Sequence, residues 1–262
     1  MIKALTTSAT GLEAQQANID RIANDLANVN TDGYKRSVTE FQDLMYETTK
    51  DPGAKLGAAS ESPVGVQKGL GVKVGASHKI FEQGPVKVTN NPYDLAIEGS
   101  KGFFSCAMPN TGEIVYTRTG NFKLDSQGRL GLANGALLDP PITVPGNATA
   151  VVIGNNGEVK AVTAEGEQGI GQIQLTSFVN NQGLKALGGN FYQRSPASGA
   201  PQQVVPGENG VGGLTQGALE ASNVNVANSM IEMIQAQRGY EMNTRVMSVA
   251  DKMLEATTNI VR

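Results

Sequence analysis

Two heptad rows, one at each end of the chain, set what it can fold into. Leu5, Leu12, Ile19 and Leu26 fall seven residues apart, with Ile2, Ala9, Gln16 and Ala23 as a companion row three residues before each. A repeat of that period lines one side of a helix and predicts a coiled-coil-like seam. Toward the other end Val226, Met233, Tyr240, Met247, Leu254 and Val261 repeat the spacing, and Met230, Ile234, Ala236 and Ala250 broaden the stripe. Gly11 interrupts the first helix and weakens it by about 1 kcal/mol.

The same short signature, Asn-Val-Asn, follows the first seam at 28–30 and precedes the second at 223–225. In the sequence "NTDGY", Gly33 can take the left-handed conformation that closes a helix C-terminus. Ser222, Asn223 or Asn225 can cap the second helix by accepting a hydrogen bond from an orphan N–H of its first turn. With the two helices antiparallel, both signatures mark the end where the chain leaves for, and returns from, its middle.

Two helices offer more apolar surface than they can cover for each other, and isolated helices are marginal in water. Association between subunits is therefore expected. Its contact residues are Leu5, Leu12, Ile19, Leu26, Val226, Met230, Met233, Tyr240, Met247 and Leu254. Gln16, Gln237 and Asp251 near the seams suit a specified register. The alternative is an intramolecular pair that simply closes a domain.

Between the seams the pattern changes period. "YDLAIEG", "GFFSCAM", "EIVYTRTG", "NFKLDSQGRLGL", "AVVIGNNGEVKAV" and "IGQIQLTSFV" are short apolar or alternating runs. Turn signals at 110–112, 125–128 and 155–157 separate them, which predicts antiparallel hairpins. The expected class is α+β: N- and C-terminal helices pairing as a coiled-coil-like layer, with a central antiparallel β-rich domain. The expected divisions are an inner helix at 1–33, an extended connector at 34–71, a β-rich outer domain at 72–194, a return connector at 195–221 and a second inner helix at 222–262. Thr48–Gly71 and Ser195–Gly213, rich in Gly, Pro, Ser and Ala, read as connectors without periodicity.

Composition narrows the chemistry. Charged residues are 17% of the 262, against roughly 25% in an average soluble domain. A net charge of -3 with interspersed signs provides no cationic stripe for nucleic acid. One histidine, His78, and one cysteine, Cys106, cannot form a two-His zinc site or a Cys-x-x-Cys pair, so no metal and no cofactor are expected. Cys106 reads as a small core residue on a strand. Neither a nucleophile elbow nor a phosphate loop is present, and the carboxylates Asp94 and Glu98 read as turn or solvated groups, so no catalytic residues are expected. Neither a cleavable secretion signal nor an apolar span is found, so membrane insertion is not expected.

Four stretches carry a family resemblance: "ANDLANVNTDGYKR", "DLAIEGSKGFF", "YTRTGNFKLDSQGRL" and "SNVNVANSMIEMIQAQRGYEMNTRVMSVADKML". Through them the chain resembles the bacterial flagellar rod and hook proteins over nearly its whole length. It has no room for the additional outer β-domain that a hook protein usually carries. The resemblance implies a hollow helical polymer in the periplasm-spanning rod, with terminal helices around an export channel and the β-domain outside. It also implies partners: copies of the same chain, proximal rod proteins, hook protein, the surrounding basal-body rings and the flagellar type III export apparatus. A different class stays open, a secreted β-rich carbohydrate-binding or hydrolytic protein with a helical oligomerisation module. Helical stripes at both extreme ends favour the polymer subunit.

Overall fold

The computed structural model describes residues 2–53, 63–109 and 111–260. Val261 of the second heptad row, Asn110 of an expected turn and residues 54–62 of the expected connector lie outside them. Helices stand at both ends with a β-rich middle, the α+β arrangement that the periodicity implied. The chain divides into two compact units.

The helical unit comprises Met1–Leu26, Ser37–Ser77 and Val226–Arg262. Its helices are α1, Ile2–Ala27, and α2, Val226–Ile260. They run antiparallel: Gly11 faces Asn243, Gln15 faces Gly239, and Arg21 Nη2 lies 2.9 Å from Glu232. A Cβ placed on Gly11 would come within 2.9 Å of the Asn243 side chain. The helix-weakening glycine thus has a packing reason, since its missing side chain lets α2 approach. Ser8, Ala14, Ile22 and Asp25 of α1 are buried, as are Ala236 and Ala250 of α2.

The same unit contains two paired ribbons. Ser37–Asp43 pairs with Val72–Lys79. Glu47–Lys50 pairs antiparallel with Val66–Lys68, in the register Glu47↔Lys68. Parts of Thr48–Gly71 that read as aperiodic connector are therefore strand, because Thr48, Val66 and Gln67 supply β-compatible side chains and paired backbone that the Gly and Pro content obscures. Thr10 Oγ1 accepts from Val72 N at 3.3 Å, and Lys3 pairs with Glu47.

The β-rich unit comprises Ala27–Arg36 and His78–Asn225. Among the described residues its largest sheet has nine strands. "GFFSCAM" and "EIVYTRTG" form an antiparallel hairpin, with Cys106 opposite Val115. The period of two sends Phe104 and Cys106 into a core with Leu95, Ile97, Phe122 and Leu138. Phe103 points to the other face and meets Phe81, Tyr116, Phe178 and Tyr192 in a second cluster of edge-to-face rings. The turn at Asp125–Gly128 closes a hairpin with Leu124 opposite Leu130, and Gly128 sits at φ +73° as the turn requires.

Two local expectations are corrected. Gly33 has φ +73°, but α1 has already stopped at Ala27, so Gly33 closes a later turn and donates its N–H to Glu220 O at 2.7 Å. Segment 195–221, read as a return connector, supplies three strands to the β-rich unit: Gln202–Val204 pairs with Leu175–Ser177, Leu214–Gln216 with Leu95–Ile97, and Ala218–Glu220 with Val86–Val88. Each is short, too short for a period of two to show in the sequence.

Candidate assembly surfaces and a buried charge cluster

The antiparallel pair sorts the heptad residues. Leu5, Leu12, Ile19 and Leu26 are half-buried on α1, and Met233, Met247 and Leu254 are half-buried on α2. Val226, Met230 and Tyr240 are exposed. Leu12 and Tyr240 are brought together on an open groove of about 410 Å³ that Glu13, Gln16, Ala17 and Asp20 complete. Apart from Ile22, the buried positions of the pair are small or polar, so contact between the helices relies largely on close backbone approach and leaves the large seam residues with uncovered surface.

A second row on α2 escaped the heptad reading. Met242, Val246, Val249 and Met253 follow one another at steps of four, three and four, and all are exposed, Met242 by 63%. Ile231 and Ile234 are exposed a little earlier on the helix. Such spacing draws a single apolar face. The signal lay in the sequence, masked because α2 is apolar on more than one side.

Near the ends of α1 and α2 the helical unit carries a polar cluster. The Asp25 carboxylate accepts from Ser37 N at 3.1 and 3.3 Å. Arg21 Nη1 donates to Asp25 at 3.1 Å and to Ser37 O at 2.9 Å, while Nη2 reaches Glu232 at 2.9 Å. This fixes where the chain departs after α1.

The β-rich unit holds its own charge cluster, wholly buried. Glu220 Oε1 lies 2.6 Å from Lys35 Nζ and Oε2 lies 3.0 Å from Arg118 Nε, with all three side chains at 0% exposure. Gly84 N donates to Glu220 Oε1 at 3.0 Å. Arg118 spends its remaining donors on the carbonyls of Gly99, Lys101 and Gly102 at 2.5, 3.1 and 2.7 Å. Lys35 Nζ also donates to Glu82 O at 2.6 Å. Desolvation lowers the Lys35 pKa to about 8, against the attraction of Glu220 and with help from the Arg118 charge. Cys106 is buried, as its place on a strand implied, and burial pushes its thiol up to about 12, so little nucleophilic thiolate forms near neutral pH.

Each member of this cluster comes from a different part of the chain: the segment after α1, the central hairpin and the returning strand. Three family descriptions fall on those same parts. "Flagella basal body rod protein" matches residues 5–35, "Flagellar hook protein FlgE/F/G D1 domain" matches 96–161, and "Flagellar basal body rod FlgEFG protein C-terminal" matches 215–260. The class is that of flagellar rod and hook proteins.

Full-length relatives narrow it. The flagellar basal-body rod protein FlgG of Caulobacter vibrioides is 45% identical across 99% of this chain and 99% of its own. FlgG of Buchnera aphidicola is 44% identical across 99% of this chain and all of its own, and FlgG of Borreliella burgdorferi 41% across the whole of both. The chain belongs to the flagellar basal-body rod protein family, and within it is most similar to FlgG, the distal rod protein.

Proposed function

We propose that this chain is a structural subunit of the flagellar distal rod, located in the basal body, that polymerises with copies of itself into a hollow helical drive shaft. The inner layer is built from α1 and α2 around the export channel, and the outer layer from the β-rich unit, to which 195–221 adds its strands, with 37–77 belonging to the helical unit. The contact set is Leu5, Leu12, Ile19, Leu26, Val226, Met230, Met233, Tyr240, Met247 and Leu254, to which Met242, Val246, Val249 and Met253 are added. Proximal rod proteins meet one end of the polymer and hook protein the other, the basal-body rings surround it, and the type III export apparatus delivers the subunits. The role is mechanical and not enzymatic.

The observation that carries this reading is the uncovered apolar face along a helix of 35 residues. An apolar face repeated on every subunit supports a head-to-tail contact, and such a contact generates an open filament when its rotation does not close.

The test is polymerisation of the purified full-length chain, followed by sedimentation and negative-stain microscopy, with Ile19→Asp and Met247→Asp variants beside it. A carboxylate buried without a partner at every repeated contact costs several kcal/mol. Both variants are expected to stay in the supernatant with the β-rich unit folded. Normal polymers from either would refute the seam assignment.

A further inference from the structure

The chain passes between its two units four times, at 26/27, 36/37, 77/78 and 225/226. Within the β-rich unit one side chain touches the segments leading to three of these exits. Asn223 Oδ1 accepts from Arg36 N at 2.7 Å, and its Nδ2 donates to Ile80 O at 3.0 Å and Glu82 O at 3.2 Å. Arg36 immediately precedes one exit, Ile80 closely follows another, and Asn223 stands just ahead of the last.

Backbone bonds close the same ring. Ile80 N donates to Arg36 O at 2.9 Å, and Asn223 N to Tyr34 O at 3.4 Å. Lys79 Nζ donates to Lys35 O at 2.8 Å and lies 4.2 Å from the Tyr34 ring centroid. The buried Glu220–Lys35 pair anchors two of the three segments from inside the unit.

We propose that Asn223 is a positioning residue, a clasp that fixes the directions in which the chain leaves the β-rich unit and thereby sets the shape of the polymer. Its chemistry suits the task. One short amide presents an acceptor and two donors at the same point. Aspartate in its place would set an oxygen against two carbonyl oxygens, serine would lose both reaching donors, and glutamine would add a methylene that the closed ring has no slack for. Asn223 is therefore no helix cap: its side chain is spent on segments distant in sequence, and Asn225 stands next to α2. The effect on polymer shape rests on the proposed polymerisation, whereas the clasp itself belongs to the single subunit.

The test uses hydrogen exchange on the dilute full-length chain, comparing wild type, Asn223→Asp and, as a control on an exposed turn, Asn209→Ala. Loss of the amide's two donor bonds, with a carboxylate oxygen now set against the Ile80 and Glu82 carbonyls, is expected to push the segments apart and raise exchange at residues 34–37, 78–82 and 222–225 together by roughly 10- to 100-fold, while the strands 150–153 and 158–163 keep their protection. Unchanged exchange, or a rise confined to 222–225, would overturn the clasp. Should Asn223→Asp fail to fold, Asn223→Ser decides: it keeps an acceptor for Arg36 N and is expected to loosen 78–82 more than 34–37. Equal protection with wild type would overturn the proposal. Polymers of Asn223→Asp, imaged beside wild type, are expected to form with altered curvature or pitch, and unaltered polymers from a loosened chain would refute the influence on shape. A wild-type chain that never polymerises would refute the polymer reading and leave the exchange result standing.

Discussion

Replacing Glu220 by glutamine removes the one carboxylate that faces both Lys35 and Arg118 in a site closed to solvent. Lys35, Glu220 and Arg118 are all at 0% exposure, with contacts of 2.6 and 3.0 Å, so solvent screens none of the loss. Breaking a buried pair by neutralising one partner costs about 3 to 5 kcal/mol, because the remaining charge stays buried and unpaired. The two cations respond differently. Lys35, already lowered to about 8 by burial, falls further without the carboxylate and sheds its proton near neutral pH, which limits its share of the cost. Arg118 has no such escape. It retains the carbonyls of Gly99, Lys101 and Gly102, which places the expected loss at the lower end, about 3 kcal/mol. In urea this shifts the unfolding midpoint of the β-rich unit downward by about 1 to 3 M, for slopes of roughly 1 to 3 kcal/mol/M. The assay is near-UV circular dichroism of the dilute full-length chain, with buried Tyr116 and Tyr192 as reporters and no Trp to obscure them. Glu158→Gln is the control: its partner Lys160 is 3.8 Å away at the surface, so about 0.5 kcal/mol or less is expected. A Glu220→Gln loss below about 1 kcal/mol, the range of an exposed pair, would refute the reasoning.

Lys35 also gives stability a pH signature. Its pKa is about 8 folded against 10.5 ordinarily, so the unfolded chain holds the proton more tightly, and the stability linked to this group is lost as pH falls through 8, grows as pH rises above it, and is complete above 10.5. Buried Cys106, with its raised pKa, opposes this only as the unfolded thiol begins to ionise, near 9. Urea midpoints at pH 7, 8 and 9 are expected to rise in the last interval for wild type and to stay flat for Lys35→Met. A falling wild-type curve, or the same rise in the variant, would contradict the assignment. Removal of most of the segment from Thr48 to Gly71, keeping both helices and the β-rich unit, is expected to give curved or flexible polymers in electron micrographs if, as we propose, this segment bridges neighbouring subunits and stiffens the tube. An unchanged straight rod would sink that role.

The helical ends were legible because a period of seven survives over many residues, and the hairpins because Asp125–Gly128 and Asn155–Gly157 carry their turn chemistry locally. Less local features were not. The sequence puts the end of the first helix at Gly33, yet residues 27–36 fold with the β-rich unit, since the contacts that capture Gly33 and Lys35 come from Glu220. Lys35 and Glu220 are 185 positions apart, and Arg118 and Glu220 are 102 apart, a distance at which spacing carries no information. The strands at 202–204, 214–216 and 218–220 owe their form to partners across the unit. Asn223 has the look of a helix cap because α2 begins three residues later, while its partners Arg36, Ile80 and Glu82 are distant in sequence. The exposed row from Met242 to Met253 was visible in principle and was overshadowed by the competing heptad.

Whether the chain builds a hollow shaft is decided by a helical reconstruction, by electron cryomicroscopy, of polymers grown from the purified full-length chain. The expected density is a hollow tube with α1 and α2 innermost, the Met242, Val246, Val249 and Met253 face covered by a neighbouring subunit, and the β-rich unit outside. Closed rings or dimers, or a tube in which that face stays exposed and the β-rich unit lines the channel, would contradict it.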